Sequence, residues 1–261
     1  MSSDINFKNP PINELVCGIQ FNPISIPFIY ISNEFFSTIE AEFPNVVETA
    51  PLPQRFDVLT HSEEGEIELE NPYIRYLFKD SKDIKLIQLQ NGKYSFNWRK
   101  PDGNDEAYPR FSKLFKEFLQ YWNILNNIFK KNNVEIEFNQ LELTYIDLII
   151  YDNIGTEVNH FHKIFSFLKE NSNLLNSING LKVELFKPIN DLKGHYYLSF
   201  HPAQLKKDLK EVIVLDSTIR GMFTEKNENI EEWFVNAHKE ILNNFIELIN
   251  DPIKEKWGLE R

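Results

Sequence analysis

Cysteine and glycine are both scarce in this 261-residue chain, and their scarcity excludes several kinds of site. Cys17 is the only cysteine, so one chain forms no internal disulfide bond and no zinc site made of thiolates. The nine glycines all stand alone, so the chain has neither a P-loop nor the glycine fingerprint of dinucleotide-binding folds. Such sparse cysteine is typical of a reducing compartment, and we expect a cytoplasmic protein.

Long basic runs and long apolar runs are also missing. The net charge is −11, and the longest basic runs are the pairs Lys130-Lys131 and Lys206-Lys207. Because lysine and arginine must replace phosphate counterions, this composition disfavours nucleic acid as a partner. No stretch reaches the roughly 18 apolar residues of a membrane span. Residues 1–14 show no signal-peptide pattern, so we expect no membrane association.

Familiar catalytic and metal-binding motifs are absent as well. The chain contains no G-x-S-x-G nucleophile elbow and no H-E-x-x-H zinc motif. His160 and His162 lie two positions apart in a predicted helix, where they point in different directions. We therefore expect no metal and no cofactor, and the sequence favours a protein that is not an enzyme.

Apolar residues, by contrast, are plentiful, and their spacing predicts a repeated architecture. Hydrophobic residues make up 42 % of the chain, which is ample for a folded core. Residues 1–133 and 134–261 both read as β-α-β-β-β-α, which indicates an internal duplication. The predicted fold class is α+β, with helices packed on one face of antiparallel sheet. The pattern leaves open whether the halves form one continuous sheet or two lobes, and a chance likeness is the alternative to duplication.

The boundaries of these predicted elements follow from periodicity, caps and turn residues. The predicted strands are 13–21, 73–79, 85–90, 93–99, 138–151, 181–188, 194–200 and 211–221. The predicted helices are 32–43, 108–131, 158–171 and 229–251, with Ser32 and Asn229 as N-caps of the first and the last.

The most strongly patterned segment is IQLQNGKYSFNWRK, residues 87–100. Its Asn91-Gly92 pair predicts a two-residue hairpin turn, because both central residues of such a turn need positive φ. This turn sets Gln90 opposite Lys93 and Gln88 opposite Ser95. Side chains alternate along strands, so the helices should cover one face. Gln88, Gln90, Ser95, Asn97 and Arg99 should share the other face.

The second half contains a similar alternation of polar residues. Gln140, Glu142 and Thr144 share one side of a predicted strand, and Asp216, Thr218 and Arg220 share one side of another. A sheet face made of amides, hydroxyls and a few charges suits recognition of a polar ligand or a partner. The alternative is an open antiparallel sheet with an ordinary solvated face.

Glu14 and Glu142 fall at equivalent positions of the two halves. If the halves are related by a pseudo-twofold axis, the two carboxylates would approach each other and suit acid–base chemistry. The alternative is that each carboxylate meets an arginine or a backbone group, or faces water.

Several segments together resemble a bacterial family that is sporadically distributed and functionally uncharacterised. They are PPINELVCGIQF at 10–21, LIQLQNGKYSFNWRK at 86–100, YPRF at 108–111, LELTYID at 141–147 and AHKEILNNFIELI at 237–249. The resemblance implies no activity for particular residues. Patchy distribution implies horizontal transfer, and so a neighbourhood of mobile elements, toxin–antitoxin pairs or phage defence.

Residues of these motifs that core packing does not explain are the candidate site, together with two polar residues of the second half. They are Gln88, Gln90, Asn97, Arg99, Tyr108, Glu142, Asp216 and Arg220.

Three functions are consistent with this sequence. The first is a non-enzymatic recognition or regulatory protein that binds a partner protein. The second is a sensor of a nucleotide or metabolite, with a cleft between the halves that aromatic residues such as Tyr108, Tyr145, Trp98 and Tyr197 would line. The third and least supported is a hydrolase or nuclease that uses Glu14, Glu142 or Asp216.

Overall fold

The computed structural model describes residues 6–53, 74–101, 108–151, 161–168, 180–223 and 229–260. These residues form an α+β fold in which helices pack on a nine-stranded antiparallel sheet, so the predicted fold class is confirmed. The strands are β1 Asn6–Phe7, β2 Ile12–Phe21, β3 Asn45–Thr49, β4 Arg75–Lys79, β5 Lys85–Gln90, β6 Lys93–Arg99, β7 Phe138–Ile150, β8 Val183–Ile189, β9 Gly194–Gln204, β10 Glu211–Met222 and β11 Leu259–Glu260. The helices are α1 Phe28–Ile39, α2 Phe111–Lys131, α3 Phe161–Ile164, α4 Ile230–Leu248 and α5 Asp251–Lys256.

The large sheet has the strand order β3-β4-β5-β6-β2-β7-β10-β9-β8, while β1 and β11 pair separately. Strands β2 and β7, the first long strand of each half, lie side by side in its centre. The two halves therefore join edge to edge into one continuous sheet. On either side of the β2–β7 boundary the strands follow one another in an equivalent order, so β6 corresponds to β10 and β5 to β9.

The helices cover one face of this sheet with aromatic side chains. The rings of Phe118 on α2 and Phe234 on α4 pack edge to face with their centroids 5.1 Å apart. The hydroxyl of Tyr94 on β6 donates a hydrogen bond of 3.1 Å to the carbonyl of Phe118, so this buried phenol keeps a partner. Each fully buried phenylalanine contributes about 2–3 kcal/mol through removal from water. Cys17 is buried in the same core, and burial raises the pKa of its thiol well above the usual range.

The start of helix α1 differs from the sequence prediction for a local reason. Helix α1 begins at Phe28, and Ser32 lies inside it, where its hydroxyl donates to the carbonyl of Ile29 and caps nothing. Asn229, by contrast, caps α4 as predicted, because its side-chain oxygen accepts the N–H of Glu231 at 2.8 Å. A serine hydroxyl that bonds back to its own helix looks the same in sequence as one that starts a helix.

The helix predicted over 158–171 is much shorter where it is described. Only Phe161–Ile164 is helical, because Phe165 forms a β-bridge with Ile249 and ends the turn. The remaining parts of that prediction, 158–160 with His160 and 169–171, lie outside the described residues. Within the described ranges, no helix is both long enough and apolar enough to cross a membrane.

Candidate functional site

All but one of the candidate residues lie on the face of the sheet opposite the described helices, which we call the polar face. The residues are Gln88, Gln90, Asn97, Arg99, Glu142, Asp216 and Arg220, and each alternates along its strand with residues of the core. The predicted hairpin register is confirmed, with Gln90 opposite Lys93 and Gln88 opposite Ser95. The two polar patterns that the sequence predicted separately therefore belong to one surface.

Cross-strand pairing arranges the polar face in rows that run across the strands. One row passes from Gln88 through Ser95, Gly18 and Glu142 to Arg220. With neighbouring strands about 4.8 Å apart, Gln88 and Arg220 stand roughly 19 Å from each other. The candidate residues thus spread over an extended surface and do not converge on one point.

The first-half strands carry a chain of side-chain hydrogen bonds, which we call the Glu14 network. Arg75 donates to Gln88 at 3.0 Å, and Gln88 donates to Asn97 at 3.0 Å. Asn97 donates to Glu14 at 2.6 Å, and the Nε of Arg99 lies 3.3 Å from the same carboxylate oxygen. Since every member fixes its neighbour, the network holds four strands of polar side chains in one arrangement.

The second-half strands carry a corresponding set, the Glu142 network. Arg220 donates through its Nε to Glu142 at 2.6 Å, and Lys93 reaches the other carboxylate oxygen at 3.5 Å. Burial opposes ionisation of this carboxyl, but the charges of Lys93 and Arg220 outweigh it and lower the pKa of Glu142 to about 2. The guanidinium of Arg220 also lies over the ring of Tyr197, 5.1 Å from its centroid.

Asp216 lies on the polar face but is held by hydroxyl groups. Thr218 donates to Asp216 at 2.9 Å, and the hydroxyls of Thr218 and Thr144 are 2.8 Å apart. Burial raises the pKa of the Asp216 carboxyl above its usual value.

Gln90 has a structural partner on the polar face. Its side-chain oxygen accepts the N–H of Leu52 at 2.9 Å, and its side-chain nitrogen donates to the carbonyl of Leu52 at 2.8 Å. The amide thus pairs with a peptide group as a neighbouring strand would. The prediction that Gln90 shares this face is confirmed, and the amide anchors the backbone at Leu52.

Tyr108 does not join the polar face. It precedes α2 on the helix-covered side, where its ring packs against Trp98 with centroids 5.4 Å apart and its hydroxyl lies 3.5 Å from that of Tyr145. Tyr145 in turn shares a hydrogen bond of 2.8 Å with Nδ1 of His238. The aromatic residues expected to line one cleft are therefore divided, because Tyr197 lies on the opposite side of the sheet.

A buried carboxyl lies among these tyrosines on the helix-covered side. Asp147 on β7 is 3 % exposed, and among the described residues its Oδ1 has no hydrogen-bond partner. Burial, together with the charge of Asp216, raises the pKa of Asp147 to about 7.

The carboxylates of the acid–base hypothesis belong to separate networks. Glu142 lies opposite Gly18, and Glu14 lies four residues farther along β2, which is roughly 14 Å at about 3.4 Å per residue. Each carboxylate pairs with an arginine, which was the alternative that the sequence left open.

Sequence reasoning missed three members of this surface. Arg75 was not a candidate, and Tyr197 was assigned to a cleft between the halves. Lys93 was placed in the hairpin register but not on the face. The alternation of side chains along the hairpin could have placed Lys93 on the polar face, because Lys93 lies opposite Gln90, which is on that face. Arg75 alternates with Tyr76 and Phe78, which pack into the core.

One open cleft of about 580 Å³ lies within the described part of the first half, beside α2, and not between the halves. Its lining combines lysines, carboxylates and aromatic rings, among them Lys85, Glu117 and Tyr121. In the described ranges no group of three or more histidine, cysteine, aspartate or glutamate side chains is placed to hold a metal ion. Comparison of the chain with protein-family models, curated proteins and solved structures finds no match.

Proposed function

We propose that this protein is a non-enzymatic recognition protein that binds a partner protein through its polar face. The observation that carries the proposal is the gathering of all candidate residues except Tyr108 on the sheet face opposite the described helices, where hydrogen bonds and ion pairs hold them in place. Side chains that are already ordered lose little further freedom on binding, which favours affinity and specificity.

The extent of the face supports a macromolecular partner. The Glu14 and Glu142 networks span several strands, and a standard protein interface covers about 800 Å² on each partner. A small ligand is instead usually enclosed in a concave pocket. Most charges of this face are largely buried, and Arg99 is 43 % exposed. Arginine and aromatic side chains such as Arg220 and Tyr197, which stack on each other here, are enriched in protein interfaces.

The state of Glu142 supports a role in binding more than one in acid catalysis. Lys93 and Arg220 hold Glu142 in its ionised form at neutral pH, and a general acid needs a pKa near the working pH. The resemblance to a sporadically distributed family directs the search for the partner to neighbouring genes of mobile elements, toxin–antitoxin pairs or phage defence.

The test is a pull-down of neighbouring gene products with wild-type protein and an Arg99→Ala variant. Arg99 suits the purpose because its side chain is 43 % exposed and contributes little to the core. Lys187→Ala is the matched control, since Lys187 is 48 % exposed and also pairs with a glutamate, but on the helix-covered side. We expect Arg99→Ala to lose the partner and Lys187→Ala to retain it, with both variants melting like the wild type. If both variants retained the partner equally, the polar face would not be the binding site.

The cleft beside α2 favours a small-molecule sensor as the second candidate. Its volume of about 580 Å³ lies within the range of ligand pockets, and Tyr121, which bonds Glu42 at 2.7 Å, gives it a fixed polar wall. A thermal-shift screen of nucleotides and metabolites tests this candidate, because a ligand that binds the folded state raises the melting temperature. The shift must disappear in Lys113→Ala, which alters an exposed lining residue.

A further inference from the structure

Strand β8 forms one edge of the large sheet, and none of the described strands pairs with its outer side. Its five central residues, 184–188, are all exposed. Two of them are large and apolar, since Leu185 is 51 % exposed and Phe186 is 63 % exposed. Leu185 lies opposite Leu198 on the helix-covered side, and Phe186 lies opposite Tyr197 on the polar face. An edge strand that exposes apolar side chains on both faces is suited to pairing with another chain.

The first half shows how such an edge is covered. Across the centre of the sheet, β4 occupies the place in the first half that β8 occupies in the second. Strand β3 pairs antiparallel with β4 along all five of its residues, and no residue of β4 is exposed. In the part of the chain that the structure describes, no counterpart of β3 adjoins β8. An antiparallel strand on β8 would therefore complete the equivalence of the two halves.

We propose that β8 pairs antiparallel with β8 of a second copy of this chain, about a twofold axis normal to the sheet. Pro188 indicates which backbone groups take part, because a proline within a sheet stands where its missing N–H would face an open edge. Backbone groups alternate in direction along a strand, so those of Glu184 and Phe186 also face outward. The pairing goes beyond the proposed function and sets the polar faces of the two copies side by side.

The side chains of β8 are complementary to those of its own copy when Phe186 lies on the axis. The two Phe186 rings then form an aromatic cross-strand pair. Glu184 lies opposite Pro188 of the second copy. Leu185 lies opposite Lys187 of the second copy, whose aliphatic stem covers it. Like charges directly opposite each other are destabilising, and this register opposes none, whereas Glu184 or Lys187 on the axis would meet its own copy.

The contact is smaller than that of a standard dimer. Strand β8 has seven residues, so the pairing buries less than the roughly 800 Å² per partner of a standard interface. We therefore expect a dissociation constant of about 1–100 μM, with a reversible change from monomer to dimer as the concentration rises.

The test is sedimentation equilibrium of the full chain from about 1 to about 300 μM. We expect the wild type to form dimers, and Phe186→Glu and Phe186→Lys each to weaken the dimer at least tenfold. Mixing these two variants in equal amounts should restore it, because opposite charges then meet on the axis. Val47→Glu is the matched control, since Val47 is 44 % exposed on β3 at the other edge of the sheet, and it should form dimers like the wild type.

Cross-linking tests the register independently. Cys17 is the only cysteine and is fully buried, so an introduced thiol has no competitor at the surface. We expect Phe186→Cys to form a covalent dimer on mild oxidation, because residues directly opposite each other lie within disulfide reach. Glu184→Cys should not, because its copy lies four residues farther along the strand, roughly 14 Å away at about 3.4 Å per residue.

A wild type that stays monomeric over the whole concentration range would overturn the inference. Loss of the dimer in Val47→Glu, or growth into assemblies larger than a dimer, would also overturn it and would indicate pairing of β8 with β3 of another copy. Failure of the mixed charge variants to form dimers, or cross-linking of Glu184→Cys in place of Phe186→Cys, would contradict the axis at Phe186 and so the pairing proposed here.

Discussion

Glu142 on β7 lies directly opposite Arg220 on β10, and the two side chains form an ion pair of 2.6 Å although each is only 15 % exposed. Glu14 on β2 lies opposite Arg99 on β6 in the same way. Because β2 corresponds to β7 and β6 to β10 across the centre of the sheet, the two pairs occupy equivalent places in the halves. The polar face is therefore repeated along with the strands that carry it.

The first prediction concerns acid sensitivity at Glu142. Its pKa is about 2 in the folded protein and near 4.5 when unfolded, so its contribution to stability is present above pH 4.5 and is lost as pH falls toward 2. At neutral pH this contribution is about 3 kcal/mol. We expect Glu142→Gln to lower the free energy of unfolding by that order and to remove the loss on acidification. Urea unfolding at about pH 7, 4 and 3 measures both effects.

Glu184→Gln is the control for this prediction. Glu184 lies on the same face but is exposed, and its ion pair with Lys182 is equally exposed. Exposed pairs contribute little, so the control should unfold at the same urea concentration as the wild type. If the control lost as much as Glu142→Gln, the enclosed Lys93–Glu142–Arg220 group would not be the cause.

The second prediction concerns a pH dependence of opposite sign at Asp147. Its pKa is about 7 in the folded protein and near 3.8 when unfolded, so the folded state binds the extra proton between these values. The free energy of unfolding should therefore fall as pH rises from about 4 to about 7, by about 4 kcal/mol in total, and level off above. The facing titratable groups are Asp216, Tyr108, Tyr145 and Tyr196, and the tyrosines stay neutral throughout this range.

Asp147→Asn tests this dependence, because an amide of the same shape does not titrate. We expect the slope between about pH 4 and 7 to disappear in urea unfolding series. Asp83→Asn changes an exposed aspartate in the β4–β5 turn and should leave the slope intact. A slope that survives in Asp147→Asn would show that another group binds the proton.

The third prediction concerns the space that Gly18 leaves on the polar face. Lys93 on β6 must reach across β2 to Glu142 on β7, and Gly18 is the β2 residue opposite Glu142. A methyl group at this position would meet the side chain of Glu142 at 3.5 Å, which is an ordinary contact. We therefore expect Gly18→Ala to fold with a loss below about 1 kcal/mol.

Gly18→Leu should behave differently, because its side chain would fill the path of Lys93. We expect a loss of about 2 kcal/mol or more and an acid transition shifted toward higher pH, since Glu142 would lose one of its two cations. The midpoint of acid unfolding, followed by circular dichroism, separates the two variants. Equal midpoints of acid unfolding for Gly18→Ala and Gly18→Leu would contradict the inference that the Lys93 side chain passes over Gly18 to reach Glu142.

The sequence correctly predicted the features that depend on residues close together in the chain. The Asn91-Gly92 turn set the hairpin register, and alternation then assigned Gln88, Asn97 and Arg99 to their face. Tyr108 was misassigned because it lies between elements, where alternation gives no direction. The edge strand β3 was missed because it is short and its residues are mostly exposed.

The pairing of the two halves through β2 and β7 could not be predicted from local sequence patterns, for a different reason. Pairing of β2 with β7 brings together residues that are about half the chain apart, and both strands carry core residues on one side only. That pattern suits either an edge strand or a central one. Likewise, the Glu14 network joins Arg75 to Glu14 through two intervening strands, and no sequence spacing reports such a contact.

The fourth prediction concerns the anchor that Gln90 provides for Leu52. Gln90→Leu keeps the volume but removes both hydrogen bonds, so the Leu52 amide should exchange with deuterium much faster than in the wild type. Gln88→Leu is the matched control in the same strand, and it should leave exchange at Leu52 unchanged because Gln88 bonds Asn97 and Arg75. Unchanged exchange in Gln90→Leu would contradict the anchoring role.

The central position of β2 has a consequence for how the protein is made. A ribosome that has delivered only the first half exposes a ten-residue strand with one edge unsatisfied, because its partner β7 has not yet been synthesised. Such an edge pairs readily with any other extended chain, and pairing over long sequence separations is slow. A gene product truncated after α2 should therefore aggregate, whereas a separately supplied second half should rescue it by completing the sheet.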